Sequence, residues 1–228
     1  MTTLTRQRPV WAETPSLVER IAKALVLTGI ALAVLFPIYV VVLTSFSPAS
    51  AINEAGGLVV IPRGFSLAAY AELFAGGVVT RAVAVSVGVT VVGTAISLSA
   101  TILAAYGLSR PGSLLHRPLL FLVLLTFLFS PGMIPSYLLV SSLGLIDSYW
   151  ALILPTAINA FNLVVMRAFF MNLPSEIADS ARVDGASEWT ILTRLVLPMS
   201  KGVVAVVGLF YAVGYWNAFF NAILYIND

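Results

Sequence analysis

The stretch Ala82–Gly107, AVAVSVGVTVVGTAISLSATILAAYG, contains no charged side chain over its whole length. An apolar run of about 18 or more residues is typical of a transmembrane helix, because lipid offers no hydrogen-bond partner to exposed backbone amides. Ser86, Thr90 and Thr94 recur every four residues along this run, and so do Gly93, Ser97 and Thr101. Since small side chains let helix backbones approach closely, the stretch predicts a membrane-spanning helix packed among other helices.

The composition of the whole chain agrees with this prediction. Of its 228 residues, 60% are hydrophobic and 10% are charged, and the mean hydropathy is +1.00. Soluble domains carry about 25% charged residues, so a soluble protein is excluded. The sequence has no cysteine, which excludes a disulfide framework and a thiolate metal site.

Five apolar segments divide the chain, and each is long enough as a single helix to cross a hydrocarbon core of about 30 Å. We therefore predict an all-α, polytopic bundle over residues 24–226, preceded by an N-terminal segment at 1–23. The connections include a loop at 47–81 and a loop at 171–201, which we call the elbow. The predicted spans cover about 24–46, 82–107, 118–140, 149–170 and 202–226.

The distribution of positive charge predicts the orientation of the spans. Two of the 12 Lys and Arg residues, Arg63 and Arg81, lie in the loop 47–81. The other ten lie in the N-terminal segment, in the connection between the second and third spans, and in the connection between the fourth and fifth spans. Basic residues are enriched in cytoplasmic loops. The N-terminus and the elbow are therefore predicted to be cytoplasmic, and the loop 47–81 is predicted to lie outside.

The sequence lacks the patterns of a hydrolase. It contains no phosphate-binding GxxxxGK[ST], no HExxH and no GxSxG motif, and no charged residue lies deep in a predicted span. The single histidine, His116, is predicted to be a surface residue beside Arg117. No catalytic residue and no metal ligand are therefore predicted. If the protein moves a solute in one direction, the energy must come from a partner.

Polar and aromatic residues in the last two predicted spans are candidates for a substrate path. Amides and aromatic rings suit sugar hydroxyls and ring faces, although interhelical hydrogen bonds and an interfacial aromatic belt are the commoner roles of such residues. Asn159 and Asn162 share one helical face, and Asn217, Asn221 and Tyr225 form one stripe at four-residue spacing. The candidates are Asn159, Asn162, Trp216, Asn217 and Asn221.

The elbow is the one amphipathic and slightly acidic stretch. Ser175 is a plausible N-cap, and Glu176 and Asp179 suit the positive end of the helix that would follow. Gly185 then turns the chain before a second short helix. An amphipathic helix lying on the membrane surface is the alternative, but such helices favour Lys and Arg on the polar face. The acids therefore favour docking to a basic surface of a soluble partner.

The spacing within the elbow resembles the cytoplasmic signature loop of ABC-transporter permeases. Asp179-Ser180-Ala181 stands where that family has Glu-Ala-Ala, Gly185 follows after three residues, and Leu195 and Leu197-Pro198 complete the pattern. The sequence ARVDGASEW is similar to the carbohydrate-uptake, maltose-type family. Other segments resemble the oligosaccharide and complex-saccharide subgroup of that family, and one of them is SPGMIPSYLLVSSLGLIDSYWALILP.

The resemblance implies that the elbow is a coupling helix seated in a groove of an ATPase. It implies that Asp179 meets a basic residue there, that Gly185 provides the turn, and that Ala181 and Ala186 make close contact. The residues expected to take part in ATPase coupling are Glu176, Asp179, Ala181, Asp184, Gly185, Ala186, Leu195 and Pro198.

The resemblance also implies the surroundings of the chain. The fold would be that of a type I ABC importer permease, with six spans, of which five are recognised in this sequence. The expected partners are a second permease subunit, two cytoplasmic ATPase subunits that use the ATP, an extracellular solute-binding protein, membrane lipid and a saccharide. No cofactor of its own and no nucleic acid are implied, and the location is the plasma membrane of a prokaryote. The alternatives are an ABC importer for a non-sugar solute and a membrane scaffold.

Overall fold

The computed structural model describes residues 16–110, 116–129 and 131–227. Within these ranges every regular element is a helix and no strand is present, which confirms the all-α class. Most of the predicted N-terminal segment 1–23 lies outside the described residues. The chain divides into two units, Met1–Val79 and Thr80–Asp228.

The first unit contains a long helix, α1 (Leu17–Ser45), and two short ones, α2 (Ala49–Glu54) and α3 (Ala68–Ala75). A capping box starts α1, because the hydroxyl of Ser16 accepts the Glu19 backbone N–H and the Glu19 carboxylate accepts the Ser16 N–H. The side chains of α1 are mostly exposed and apolar, as expected for a surface that faces lipid.

The second unit consists of helices that follow one another with short breaks. In chain order these are α4 (Val78–Ser109), α5 (His116–Leu128), α6 (Met133–Ser142), α7 (Trp150–Ile153), α8 (Ala160–Met171), α9 (Ser175–Val183), α10 (Glu188–Ile191), α11 (Leu197–Met199), α12 (Lys201–Trp216) and α13 (Phe219–Tyr225). A 3₁₀ turn follows α7, and a π-helical turn at Leu192–Val196 joins α10 to α11.

Two helices in the described ranges, α1 and α4, are long and apolar enough to cross a membrane alone. The number rises to four if two bent helix pairs each count as one span. The predicted spans 24–46 and 82–107 fall almost entirely within α1 and α4. The count of five spans stays a prediction.

The expectation of one uninterrupted helix for each apolar segment is wrong for three of them. The segment 118–140 is divided between α5 and α6, because Gly132 takes a left-handed φ of 79° and caps α6. The segment 149–170 bends by 51° between α7 with its 3₁₀ turn and α8, where Asn159 is extended and caps α8. The segment 202–226 is divided between α12 and α13.

The core of the second unit is formed by buried side chains from several elements, including α4, α7, α8 and α12. The buried side of α4 carries one of the two predicted stripes, Gly93, Ser97 and Thr101. Ser97 Oγ lies 2.6 Å from the Tyr215 hydroxyl, and Thr101 Oγ1 lies 2.7 Å from the Tyr211 hydroxyl. The predicted burial is therefore confirmed for the stripe of Gly93, Ser97 and Thr101. It is wrong for the other predicted stripe within this chain, since Ser86 is exposed and Thr90 and Thr94 are half-buried.

Candidate functional site

The elbow is built as two short helices around a glycine turn. The N–H of Gly185 donates to the Arg182 carbonyl at 3.0 Å, and the N–H of Ala186 donates to the Ala181 carbonyl at 2.9 Å. These are the two hydrogen bonds of a Schellman motif, which requires a left-handed residue just beyond the helix. Gly185 supplies that conformation, with a φ of 81°. Its predicted role as the turn residue is confirmed.

The start of α9 differs from the prediction. Pro174 occupies the N-cap position, and no side chain caps the helix, so the N-cap role predicted for Ser175 is wrong. Ser175 is instead the first helical residue, since the extended backbone of Pro174 already sets the direction of the chain. A true cap begins α10, where Ser187 Oγ accepts the Thr190 N–H at 3.2 Å.

A network of charged side chains joins the two helices of the elbow. Arg182 donates from Nη1 to Asp179 Oδ1 at 2.5 Å and from Nε to Glu188 Oε1 at 2.7 Å. The other carboxylate oxygen of Glu188 lies 2.5 Å from the Tyr106 hydroxyl and 3.2 Å from Arg110 Nη2. Hydrogen bonding from Arg182, and then from Tyr106, lowers the pKa of Glu188. Sequence reasoning did not single out this network, because Tyr106 and Arg110 lie about 80 residues away along the chain.

The eight residues predicted for coupling fall into two groups. Five lie at the surface of the elbow: Glu176, Asp179, Asp184, Gly185 and Pro198. The other three are half-buried and pack against the core of this chain: Ala181, Ala186 and Leu195. The small size of the two alanines therefore serves packing within the subunit.

Five large apolar side chains on the elbow are exposed, and the two most exposed of them were missed by the sequence reasoning. Val183 is 88% exposed and Trp189 is 64% exposed. An exposed Trp beside exposed acids is typical of a surface that meets another protein, since Trp is enriched at interface hot spots. The signal that would have found them is their position on either side of the Gly185 turn.

A second feature is a cavity of about 330 Å³ beside α12, which we call the polar cavity. It brings together four of the five residues predicted for a substrate path, and Trp216 lies outside it. Its lining also contains hydroxyl and aromatic groups and, among the described residues, no charged side chain. The lining consists of Thr156, Asn159, Asn162, Phe210, Tyr211, Gly214, Tyr215, Asn217, Ala218, Phe220 and Asn221.

The asparagines of the polar cavity make local hydrogen bonds. Asn159 Oδ1 caps α8 by accepting the Asn162 N–H at 3.1 Å, and Asn217 Nδ2 donates to the Val213 carbonyl at 3.0 Å. The expectation that these amides bond between helices is wrong, because tyrosines of α12 take that role. The Tyr211 hydroxyl, for example, accepts the Asn159 N–H at 3.0 Å.

Comparison with known proteins places the chain among membrane transport subunits. Residues 81–228 match the family described as the binding-protein-dependent transport system inner membrane component. The polygalacturonan/rhamnogalacturonan transport system permease protein YtcP of Bacillus subtilis is 53% identical over 170 residues, which are 75% of this chain and 59% of that protein. Protein LplC of the same organism is 44% identical over 208 residues, which are 91% of this chain and 70% of that protein.

A solved structure agrees with these relatives. A bacterial ABC transporter involved in the import of the acidic polysaccharide alginate matches with a TM-score of 0.89 and 30% identity. The match covers 95% of this chain and 78% of the other. Together with these matches, the helical fold, the apolar surface and the polar cavity identify the chain as a transmembrane transport subunit. The chain belongs to the family of binding-protein-dependent transport system inner membrane components. The resemblance to ABC-transporter permeases of the sugar type is confirmed.

Proposed function

We propose that this protein is the permease subunit of an ATP-driven saccharide importer and forms half of its translocation path. The observation that carries the proposal is the elbow, which presents Asp179, Val183 and Trp189 at the surface around a rigid glycine turn. The relatives support the saccharide, since their names specify polygalacturonan, rhamnogalacturonan and arabinooligosaccharides.

The elbow would dock in a groove of a cytoplasmic ATPase, so that hydrolysis takes place in the partner and this chain carries no cofactor. The N-terminus and the elbow would then lie on the cytoplasmic side of the plasma membrane of a prokaryote. A second permease subunit would complete the path, two ATPases would drive it, and an extracellular solute-binding protein would deliver the saccharide. ATP-driven closure of the ATPases would move the elbows and rock the helix bundle.

The polar cavity would form part of the path taken by the saccharide. Asn162 and Asn221 line it with amide groups that have no hydrogen-bond partner among the described residues. An amide offers both donors and an acceptor, which match sugar hydroxyls. The rings of Phe210 and Phe220 line the same cavity and offer apolar faces for pyranose rings.

The docking role is tested by two substitutions in the full-length subunit, expressed with its second permease and its ATPase. Asp179→Lys places a positive charge where a basic groove is expected, so co-purification of the ATPase should fall. Gly185→Asp forces a side chain into the left-handed turn and should block assembly or uncouple hydrolysis from uptake. Glu72→Gln on α3 is the control. Normal co-purification with Asp179→Lys, together with normal uptake with Gly185→Asp, would refute the docking role.

The path role is tested by uptake of labelled oligosaccharide into proteoliposomes that contain the whole transporter. Asn162→Leu and Asn221→Leu keep similar volumes and remove the amides, so saccharide uptake should fall while ATPase co-purification is retained. Asn53→Leu on α2 is the matched control. Unchanged uptake in both cavity variants would remove the polar cavity from the path.

A further inference from the structure

Glu188 connects three side chains through its two carboxylate oxygens. One oxygen is bound by Arg182 of α9, and the other is bound by Tyr106 and Arg110 at the end of α4. A carboxylate that accepts hydrogen bonds on both oxygens is fixed in orientation, since charge-assisted bonds are short and directional. Glu188, whose side chain is 55% exposed, therefore links the elbow to α4 beside the packing of Ala181 and Leu195 against the core.

The same end of α4 is also held by α8. Arg167 Nε donates to the Leu108 carbonyl at 2.8 Å, where the last carbonyls of a helix lack partners of their own. A cation at this end also interacts favourably with the helix dipole. The end of α4 thus has a fixed position relative to both the elbow and the helix that begins at the polar cavity.

Further along α4, two hydroxyls hold the tyrosines that line the polar cavity. Thr101 Oγ1 and the Tyr211 hydroxyl are 2.7 Å apart, and Ser97 Oγ and the Tyr215 hydroxyl are 2.6 Å apart. All four residues are buried. Breaking such a contact would leave polar groups unpaired in an apolar interior, which makes each pair a firm attachment.

The two sets of contacts lie on one continuous helix. Tyr106 follows Thr101 by five residues, a rise of about 7.5 Å at about 1.5 Å per residue. Ala105 between them has no exposed surface, whereas Leu103 is 51% exposed, so this part of α4 packs against the rest of the unit on one side. A displacement at the elbow end of a continuous helix would also move the tyrosines that are hydrogen-bonded to it.

We infer that α4 is a mechanical link between the elbow and the polar cavity, with Glu188 as the positioning residue that attaches the elbow to it. This link acts beside the chain itself, which runs from α10 through α11 into α12. The inference rests on the proposed function and adds the route by which ATPase movement would reach the saccharide path. Movement of the elbow would pull the Tyr106 end of α4, and Thr101 and Ser97 would carry the hydroxyls of Tyr211 and Tyr215 with them.

The test measures saccharide transported per ATP hydrolysed, in proteoliposomes that contain the complete transporter. Glu188→Gln weakens the attachment at the elbow, and Thr101→Val removes the hydroxyl at the cavity with little change in shape. Each variant should lower the ratio by about fivefold, within the range expected for residues on a coupling route, while ATPase co-purification is retained. Since both variants interrupt one route, the double variant should lose no more than the worse single variant.

Two matched controls accompany these variants. Thr94→Val makes the same change on α4 at a hydroxyl that has no partner among the described residues. Glu72→Gln makes the same change on α3. Tyr106→Phe removes only the phenol that binds Glu188, so it should lower the ratio in the same direction by a smaller factor.

The outcomes separate this inference from the proposed function. An unchanged ratio in Glu188→Gln and Thr101→Val, or losses that multiply in the double variant, would overturn the link through α4. Loss of ATPase co-purification in Glu188→Gln would show that this residue acts in docking, and would also overturn the link. Absence of ATP-driven saccharide uptake by the wild-type transporter would overturn the proposed function and this inference together.

Discussion

Gly93 lies where α4 touches the ring of Tyr215, and replacing it by alanine tests how tightly the two helices pack. A Cβ atom at this position would lie 2.9 Å from two ring carbons of Tyr215. The ring has little freedom to move away, because its hydroxyl is bound to Ser97 at 2.6 Å and to the Ile153 carbonyl at 3.3 Å. Gly93→Ala must therefore displace the ring or separate the helices.

The magnitude follows from two opposing effects. Alanine is favoured over glycine inside a helix by about 1 kcal/mol. Overpacking a close contact costs about 1–3 kcal/mol, and loss of the bond to Ser97 adds about 0.6 kcal/mol, as measured on average between membrane helices. We expect the packing cost to exceed the helical gain, so that Gly93→Ala lowers the free energy of unfolding by about 1–2 kcal/mol.

The assay is thermal unfolding of the purified protein in detergent, with Gly88→Ala as the matched control. Gly88 lies on the same helix, and a Cβ atom there would meet nothing within 4 Å. Gly88→Ala should be neutral or stabilising. The destabilisation by Gly93→Ala should also shrink in a Tyr215→Ala background, because the clashing ring is then absent. Equal stability of the Gly93 and Gly88 variants would refute the packing argument.

Three further predictions concern local structure. Gly185→Ala should lower the free energy of unfolding by about 1–2 kcal/mol. The cause is left-handed backbone strain alone, since a Cβ atom at this position would meet nothing within 4 Å. Gly202→Ala in α12 is the control and should be neutral in the same unfolding assay. The carboxylate of Asp147 accepts the backbone and side-chain N–H groups of Asn227 at 2.7 and 3.3 Å, so Asp147→Ala should cost about 1–3 kcal/mol and Asp147→Asn less. Because the folded pKa of Glu188 lies below its ordinary 4.5, its stabilising contribution is complete above that value and is lost as pH falls through the folded pKa. Unfolding scans from about pH 7 to about pH 3 should show this loss in the wild type and not in Glu188→Gln.

Much of the fold could be predicted because membrane helices depend on local sequence. An uncharged run such as Ala82–Gly107 has no other stable form in lipid. Its small residues formed two stripes, and the sequence did not decide that the stripe of Gly93, Ser97 and Thr101 is the buried one. The breaks within three of the apolar segments were missed because mean hydropathy does not report the direction of the backbone. Gly132 and Asn159 break segments that remain apolar on average, and only backbone geometry reveals the break.

The candidate site was predictable where spacing along the chain decided it. The turn at Gly185 depends on hydrogen bonds over a few residues. The asparagines of each pair lie close together in sequence and both line the polar cavity, although Asn159 and Asn217 lie at helix ends and not within one helix. The partners of Glu188 could not be predicted, because Tyr106 approaches it only after the chain folds. The lining of the polar cavity also depends on contacts that form only after the chain folds. For this reason Trp216 was included among the candidates although it lies outside the cavity, and Tyr211 was not predicted.

The ion pair between Asp179 and Arg182 changes what docking of the elbow would require. Asp179 was expected to await a basic residue of the ATPase, yet its carboxylate is already bound by Arg182 at 2.5 Å. Both side chains are at least 36% exposed, and exposed pairs contribute only about 0.2–1 kcal/mol, so exchange for a partner's cation would cost little. If Asp179 formed an ion pair with a cation of the partner, Arg182 would still be paired with Glu188. The exchange would then leave the attachment of the elbow to α4 intact, so the proposed docking and the proposed transmission would use different carboxylates of one network.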